Sequence, residues 1–597
     1  MRLPDAEPSP TISGKSQELS SSRYTILRLH PSTRILRNSP STARARRTLA
    51  YFPWPEMFRP PRAICGYLGT GHRNRWMAGS QYDPATPRCC MHAAIEALSH
   101  GGSRPQPHSA AIVQGRLTHA DIVSAAVLLI VTLAVRGVWF GNPVADFDEQ
   151  LYSLIGWQIT QGQLPFVDQW DRKPFGLFLI FAVIHTAFGP GELAYQLVAS
   201  CSALTGAWLV YLLARNLVDR VSACVAGVLY LALLSAYGSY SAQSEVFHTP
   251  MMLFAVWLLC KPHHQAATIR ALAAMLVCGM ALQVKYTVVP QCIFLGGVAL
   301  HSAWLRGVRM PDIAGLATAF TILGLAPTLL IAAFYAAHSQ FEAFWFANFV
   351  SFFERASSEH GRFWPGHVHG AIPIVGLTLL GLYAAWRLNP PCDRWCYGLF
   401  CGWALAAFGT VVMPSTVYLY YYGALAPAAS LVALPLIDRT GRAGWLPAAA
   451  LLGGMFLILN PLKVWRDSHE QSAMADRLTV AIKPYVKPSQ GCLWIHDGPT
   501  ALYRTSGSCL PTRFIYPDHL NNNLERNALG ASQLAEVKRI LAGNPPVIVT
   551  ADMPITPQNL EVLALVRSTT SKDYHKLATE DLNGRGITAW VRSDLGS

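Results

Sequence analysis

From residue 121 to residue 460 apolar stretches alternate with short polar connections. Twelve stretches, near 121–140, 174–190, 193–214, 221–237, 245–260, 269–285, 287–305, 312–336, 371–386, 395–413, 419–437 and 444–460, approach the length a membrane-crossing helix needs, about 20 residues. Five connections each carry two basic residues: Arg215 and Arg220, Lys261 and Arg270, Arg306 and Arg309, Arg387 and Arg394, Arg439 and Arg442. The connections at 238–244 and 414–418 carry none. Cytoplasmic connections collect Lys and Arg, so this alternation fixes direction, and it works throughout if 174–190 does not cross. That segment starts at Lys173-Pro174 and ends in Gly189-Pro190-Gly191. It fits a helix lying in the interface or re-entering from the outer side. The pattern predicts an α-helical polytopic membrane protein of about eleven spans, with the first span led from the cytoplasm.

Three features then face outward. The first is a loop over 141–192. The second, 337–370, holds Phe341, Phe344, Trp345, Phe346, Phe349, Phe352 and Phe353, an aromatic density suited to a helix at headgroup level. The third is residues 461–597, a small α/β domain. Its expected strands are Cys492–His496, Arg513–Tyr516 and Pro546–Thr550, its helices 470–484, 531–542 and 557–568, and its terminal strand pair Tyr574–Leu577 with Ile587–Val591. Cys492 and Cys509 lie there in a disulfide-permissive compartment and could pair. Cys392 and Cys396 lack companion ligands, so no metal site is expected at them.

Composition narrows the class. Hydrophobic residues make up 52% and charged residues 14%, against about 25% charged in soluble domains, which excludes a purely soluble enzyme. The net charge of +13 suggests nucleic acid until its distribution is considered. Residues 1–110 hold 15 of the 47 Lys and Arg but 6 of the 34 Asp and Glu, so they supply nine of the thirteen net charges. No basic patch interleaved with aromatics occurs elsewhere, and no nucleic-acid partner is expected. The leader is rich in Arg, Ser and Pro, without apolar periodicity, and reads as disordered. An Arg-rich targeting segment is one account of it; an upstream start, with Met77 or Met91 as the true one, is the preferred account. The domain division is then a basic leader at 1–110, a transmembrane domain at 111–460 and an outer domain at 461–597.

The first outer loop carries the candidate chemistry. Asp146, Asp148, Glu149, Asp168 and Asp171 sit beside Arg172 and Lys173. An ordinary solvated loop could carry this charge. Two charges at span ends sharpen the picture: Glu245 opens one span and Lys285 closes another, on the same outer side. Charges at membrane depth cost at least about 2.5–3.5 kcal/mol, so they tend to be paired or functional, although Lys285 alone could snorkel. Tyr418, Tyr420, Tyr421 and Tyr422 cap a third span there, where an interfacial belt is the plain alternative. A general base suits a hydroxyl acceptor, cations suit a phosphate leaving group, and an apolar groove suits a lipid tail. Together these point to sugar transfer from a polyprenyl phosphate.

These residues resemble the polytopic glycosyltransferases that use lipid-phosphate sugars, among them protein O-mannosyltransferases and the enzymes adding aminoarabinose to lipid A. Such proteins carry an Asp-Glu pair after the first span, followed by a Tyr; here these are Asp148-Glu149 and Tyr152. A Lys-Pro-Pro stretch follows, here Lys173-Pro174-Phe175 without the second Pro. An acidic residue opening a span matches Glu245, and Tyr420-Tyr421-Tyr422 with Pro427 stands where a His-containing stretch recurs. Pro511-Thr512-Arg513-Phe514-Ile515-Tyr516-Pro517 is a weaker match in the outer domain. The resemblance implies a C-type glycosyltransferase fold with an outward-facing site.

The expectation is an inverting transferase in a bacterial inner membrane. Asp148 would act as base with Glu149 supporting it. Arg172 and Lys173 would bind the donor phosphate, and Glu245, Lys285, Tyr421 and Tyr422 would line the pocket. The partners would be a polyprenyl-phosphate-linked sugar and an acceptor lipid, protein or glycan. No cofactor is required by this reading, although carboxylates of this kind could hold a divalent cation. A lipid-linked-substrate transporter or flippase, or a non-catalytic assembly partner, are the alternatives. Inverted internal repeats, expected of a transporter, are not evident in the sequence.

Overall fold

The computed structural model describes residues 118–356, 367–414, 416–487 and 489–595. The leader, with Met77 and Met91, lies outside the described residues. The membrane part opens with α1 (His119–Arg136), α2 (Phe147–Thr160), α3 (Phe175–Phe188) and α4 (Glu192–Ala214). It continues with α5 (Arg220–Ala236), α6 (Ser244–Leu259), α7 (Ala267–Leu282), α8 (Val289–Leu305) and α9 (Met310–Ala337). After the aromatic-rich segment that follows α9 come α10 (His367–Arg387), α11 (Arg394–Val412), α12 (Ala426–Val432) and α13 (Leu446–Leu459). Seven helical stretches among the described residues are long and apolar enough to cross a membrane, and α3, α5, α6 and α7 are shorter apolar helices. The expected stretch at 419–437 is not one helix: a 3-10 turn at Leu419–Leu425 precedes α12 and a short helix at Leu434–Ile437. Large apolar side chains face outward, Ile130 and Leu330 among them, and α9 buries only Phe320 and Tyr335. Apolar exteriors of this extent belong against lipid, and the chain is an integral membrane protein.

α3 has 14 residues, about 21 Å of helix against the ~30 Å of a hydrocarbon core. It lies against α2, and the two backbones nearly touch. A Cβ on Gly156 of α2 would sit 2.6 Å from that of Phe181. A Cβ on Gly176 would meet Gln283 at the same distance, so the start of α3 is held against the end of α7, next to Lys285. After α9 the chain runs as helix Phe341–Trp345, a π-turn Phe346–Val350 and helix Ser351–Glu354. Phe341, Trp345 and Phe353 are exposed there, whereas Phe344 is buried.

Asn460 adopts φ 39°, breaking the run from α13, and its side chain caps the next helix, α14 (Pro461–Ile482). That helix starts nine residues before the expected 470 because Asn460-Pro461 supplies both stop and start signals. Beyond it lies a four-stranded sheet ordered β1-β2-β4-β3, made of β1 (Trp494–Ile495), β2 (Val547–Ala551), β3 (Tyr574–Leu582) and β4 (Arg585–Arg592). β1 runs parallel to β2, and the other pairs are antiparallel. Asn583-Gly584, both at positive φ, close a tight hairpin that extends the expected terminal pair in both directions. Helices α15 (Gln533–Ala542) and α16 (Leu560–Asp573) flank the sheet. The strand expected at Arg513–Tyr516 is absent. Its backbone is used elsewhere: the Arg513 carbonyl accepts from the Trp170 amide at 2.9 Å, and Pro517 removes the next donor. Trp170, from the loop between α2 and α3, is buried with Trp494, Phe514, Leu520 and Ile548 in one apolar cluster. The loop and the sheet therefore share a core, which fixes the loop's charged residues in place. Cys492 and Cys509 are disulfide-bonded, and Cys260 pairs with Cys396 between the ends of α6 and α11.

Candidate active site

Asp146 is the N-cap of α2. Its Oδ1 accepts from the amides of Asp148 at 2.9 Å and Glu149 at 3.2 Å. This sets Asp148 in the first helical turn, where the helix dipole favours negative charge. Asp148 Oδ2 then lies 3.1 Å from the Tyr152 hydroxyl, 3.2 Å from Gln243 Nε2 and 3.5 Å from Lys173 Nζ. Tyr516, from the C-terminal part, approaches Oδ1 at 3.3 Å. Burial pushes the Asp148 carboxyl up, but Lys173 and the bonds from Tyr152 and Gln243 outweigh it and hold the group below its ordinary value. Lys173 also donates to the Tyr152 hydroxyl at 2.7 Å. Burial opposes its charge, while Asp148 and Asp171 more than restore it and raise its pKa.

The sign of these effects gives a pH prediction. A base held below about 3.9, the ordinary Asp value, stays ionised until the pH falls beneath that value. The acid limb of activity should therefore inflect below about pH 4. In Lys173→Ala, burial loses its main counterweight while Tyr152 and Gln243 still act, so the inflection should move upward from the wild-type position. A pH–rate profile of both proteins checks this; an unmoved limb would show that Lys173 does not set the state of the base.

Glu245 and Lys285 form a buried ion pair. Lys285 Nζ also lies 4.4 Å from the Tyr421 ring centroid and 5.6 Å from that of Tyr420, a cation–π arrangement. Tyr421 is in electrostatic reach of Lys173 as well, so the pairs Asp148–Lys173 and Glu245–Lys285 border one region. Arg172 is turned the other way, onto Glu525, which also receives Arg355. Tyr422 is not part of this group; it is buried against Tyr237, with ring centroids 5.8 Å apart.

Glu149 faces inward from α2. Its carboxylate accepts from the Ala242 amide at 2.7 Å and from Gln196 at 3.3 Å. Arg136, fully buried at the end of α1, donates to the Ser239 and Ser241 carbonyls at 2.9 and 2.6 Å. Both residues grip the 238–243 connection, which delivers Gln243 to Asp148. Sequence reasoning missed Arg136, Gln243, Arg355 and Glu525, and it named Tyr516 only within the 511–517 match, without a role. Arg136 had one available signal, a charge inside the last turn of an otherwise apolar helix. Among the described residues no three His, Cys, Asp or Glu side chains converge as metal ligands. Asp148 and Glu245 are each engaged by a lysine instead.

Residues 172–331 match the family model "dolichyl-phosphate-mannose-protein mannosyltransferase". A dolichol phosphate-mannose mannosyltransferase of Haloferax volcanii is 31% identical over 129 residues, 21% of this chain and 26% of that protein. The chain thus spans about a quarter of the curated relative it matches. The crystal structure of ArnT from Cupriavidus metallidurans bound to undecaprenyl phosphate superposes with a TM-score of 0.54 at 14% identity, over 78% of this chain and 97% of that one. The mannosyltransferase family model thus covers a segment that starts at the Arg172-Lys173 pair, and the fold over most of the chain is similar to that of ArnT.

Proposed function

We propose that this chain is a membrane glycosyltransferase moving a sugar from a polyprenyl-phosphate donor to an acceptor hydroxyl at the outer membrane face, with inversion. The acceptor oxygen attacks the anomeric carbon as its proton passes to Asp148. The bond from that carbon to the phosphate oxygen breaks, and the polyprenyl phosphate leaves with the electron pair. Single displacement inverts the centre. Lys173, with Arg172 near it, balances the growing phosphate charge; Glu245, Lys285 and Tyr421 line the pocket, and Glu149 positions the loop carrying Gln243. The observation that supports this most is the Asp148 carboxyl group held beside Lys173 at the start of α2. The membrane part, 111–460, would carry the reaction, and 461–597 would be an outer domain supplying Tyr516 to its edge.

The deciding experiment incubates purified protein with a polyprenyl-phosphate sugar and an acceptor lipid, protein or glycan fraction. Release of free polyprenyl phosphate supports transfer. Translocation of the intact donor without release would favour a transporter and overturn the proposal.

Orientation in a bacterial inner membrane gives a second expected result. Reporter fusions after Arg215, Arg270, Arg306, Arg394 and Arg442 should report the cytoplasm, and a fusion at residue 500 should report the outside. A cytoplasmic signal at 500 would place the C-terminal domain, with Tyr516, on the wrong side.

A further inference from the structure

Glu525 is a buried carboxylate with an unusual set of partners. Arg172 embraces both its oxygens, with Nη1 at 3.2 Å from Oε1 and Nη2 on Oε2. Arg355 Nε donates to Oε1 at 2.6 Å, and its Nη2 reaches the Tyr418 hydroxyl at 3.1 Å. The three charged groups come from three parts of the chain: the loop between α2 and α3, the residue after helix Ser351–Glu354, and a 3-10 turn (Asn523–Glu525) of the C-terminal part. Arg172 is next to Lys173, which is on Asp148. Tyr421 lies in electrostatic reach of both Lys173 and Arg355. The cluster therefore borders the proposed donor site and is not remote from it.

Two guanidiniums converge on one carboxylate, with Asp171 in electrostatic reach of Arg172 and Asp518 in reach of Arg355. Their planar forks match a phosphate at least as well as a carboxylate. Left without an anion, both would be desolvated and unpaired, which proteins avoid. We propose that Glu525 is an internal stand-in for the donor's phosphate: it fills the cradle of Arg172 and Arg355, and the incoming lipid phosphate displaces it. This rests on the lipid-phosphate reading above. A phosphodiester carries one negative charge, the same as the carboxylate it replaces, so the exchange leaves the local charge unchanged. It also has a mechanical consequence. Flanking Glu525, the Leu524 carbonyl accepts from the Ala356 amide at 2.9 Å, and the Ala528 carbonyl accepts from the Ser351 hydroxyl at 2.7 Å. Release of Glu525 loosens this seam between the second outer loop and the C-terminal part, so donor occupancy and the placement of residues 522–528 are coupled.

The test is binding of polyprenyl phosphate, without sugar, to the full chain in lipid nanodiscs. Glu525→Gln keeps the side chain's size but removes the competing charge, and affinity should rise at least about tenfold. In an Arg355→Gln background the same change should give little gain. Equal or weaker binding by a Glu525→Gln protein of unchanged melting temperature overturns the proposal and makes Glu525 a plain tether. If that variant is unstable, the wild type decides. Its amides at 522–528 should exchange faster with deuterium when polyprenyl phosphate is bound, and added protection there overturns the proposal. Absence of binding by wild type and variant alike would instead sink the lipid-phosphate reading itself.

Discussion

Asp148→Asn is expected to lower turnover by about 10²–10⁴, the usual worth of general-base assistance, while folding and membrane level stay normal. The amide has the carboxylate's size, and its oxygen still accepts from Tyr152 or Gln243, which approach Oδ2 at 3.1 and 3.2 Å. Lys173 is not left alone, because Asp171 is also within its electrostatic reach. Only the ability to take a proton is lost. The measurement is release of polyprenyl phosphate under single-turnover conditions, with the protein's melting temperature alongside. Asp168→Asn is the internal control: Asp168 Oδ2 accepts from the Leu164 amide at 2.7 Å on an exposed turn, an asparagine oxygen can do the same, and activity should hardly change. Asp171 is the rival, since it is buried and its Oδ2 has no hydrogen-bond partner. Near-full turnover by a correctly folded Asp148→Asn protein would end the assignment, and a large loss in Asp171→Asn alone would move the base to that residue.

The parts of this site legible in the sequence are those a membrane makes conspicuous. Glu245 and Lys285 stand out because charge at span ends has few tolerated explanations, and the structure pairs them. Asp148 and Lys173 stand out as a dense run of charge between apolar segments. What the sequence hides is range. Tyr516 reaches Asp148 across a separation of 368 residues, and Glu525 reaches Arg172 across 353; no local periodicity encodes either contact. Adjacency in the chain suggests Tyr422 beside Tyr421 in the pocket, but both lie in a 3-10 turn. At three residues per turn, neighbouring side chains point about a third of a circle apart, and Tyr422 enters the core. The expected strand at 513–516 is missing for a related reason: Phe514 serves the shared core with Trp170, and the Arg513 carbonyl bonds the Trp170 amide and not a neighbouring strand. Asp146 shows the opposite case. In the sequence it is one more loop charge, and in the fold it is the cap that starts α2, a role its position before an apolar helical run allows.

Glu245→Gln should be the most destabilising single change in the membrane part, costing about 3–5 kcal/mol, the usual loss when one partner of a buried ion pair is removed. Glu245 is 0% exposed and Lys285 7%, so water cannot take over from the missing carboxylate. The faces of Tyr421 and Tyr420 remain, but a desolvated cation–π contact contributes only about 2 kcal/mol. Lys285→Met should cost less, because the stranded carboxylate sits in the first turn of α6, where the dipole favours it, and accepts from the Ser244 hydroxyl at 2.9 Å. The double variant Glu245→Gln with Lys285→Met should recover most of the loss, giving a coupling of several kcal/mol in a double-mutant cycle. Melting temperatures in detergent measure stability, and lipid-phosphate release measures activity. A double variant that regains stability but not turnover would mean that the pair is kept for its chemistry, since a neutral pair of similar volume then holds the helices as well. A Glu245→Gln protein within about 1 kcal/mol of wild type would show that Lys285 is solvated or otherwise paired, and the pocket lining assigned to these two residues would have to be withdrawn.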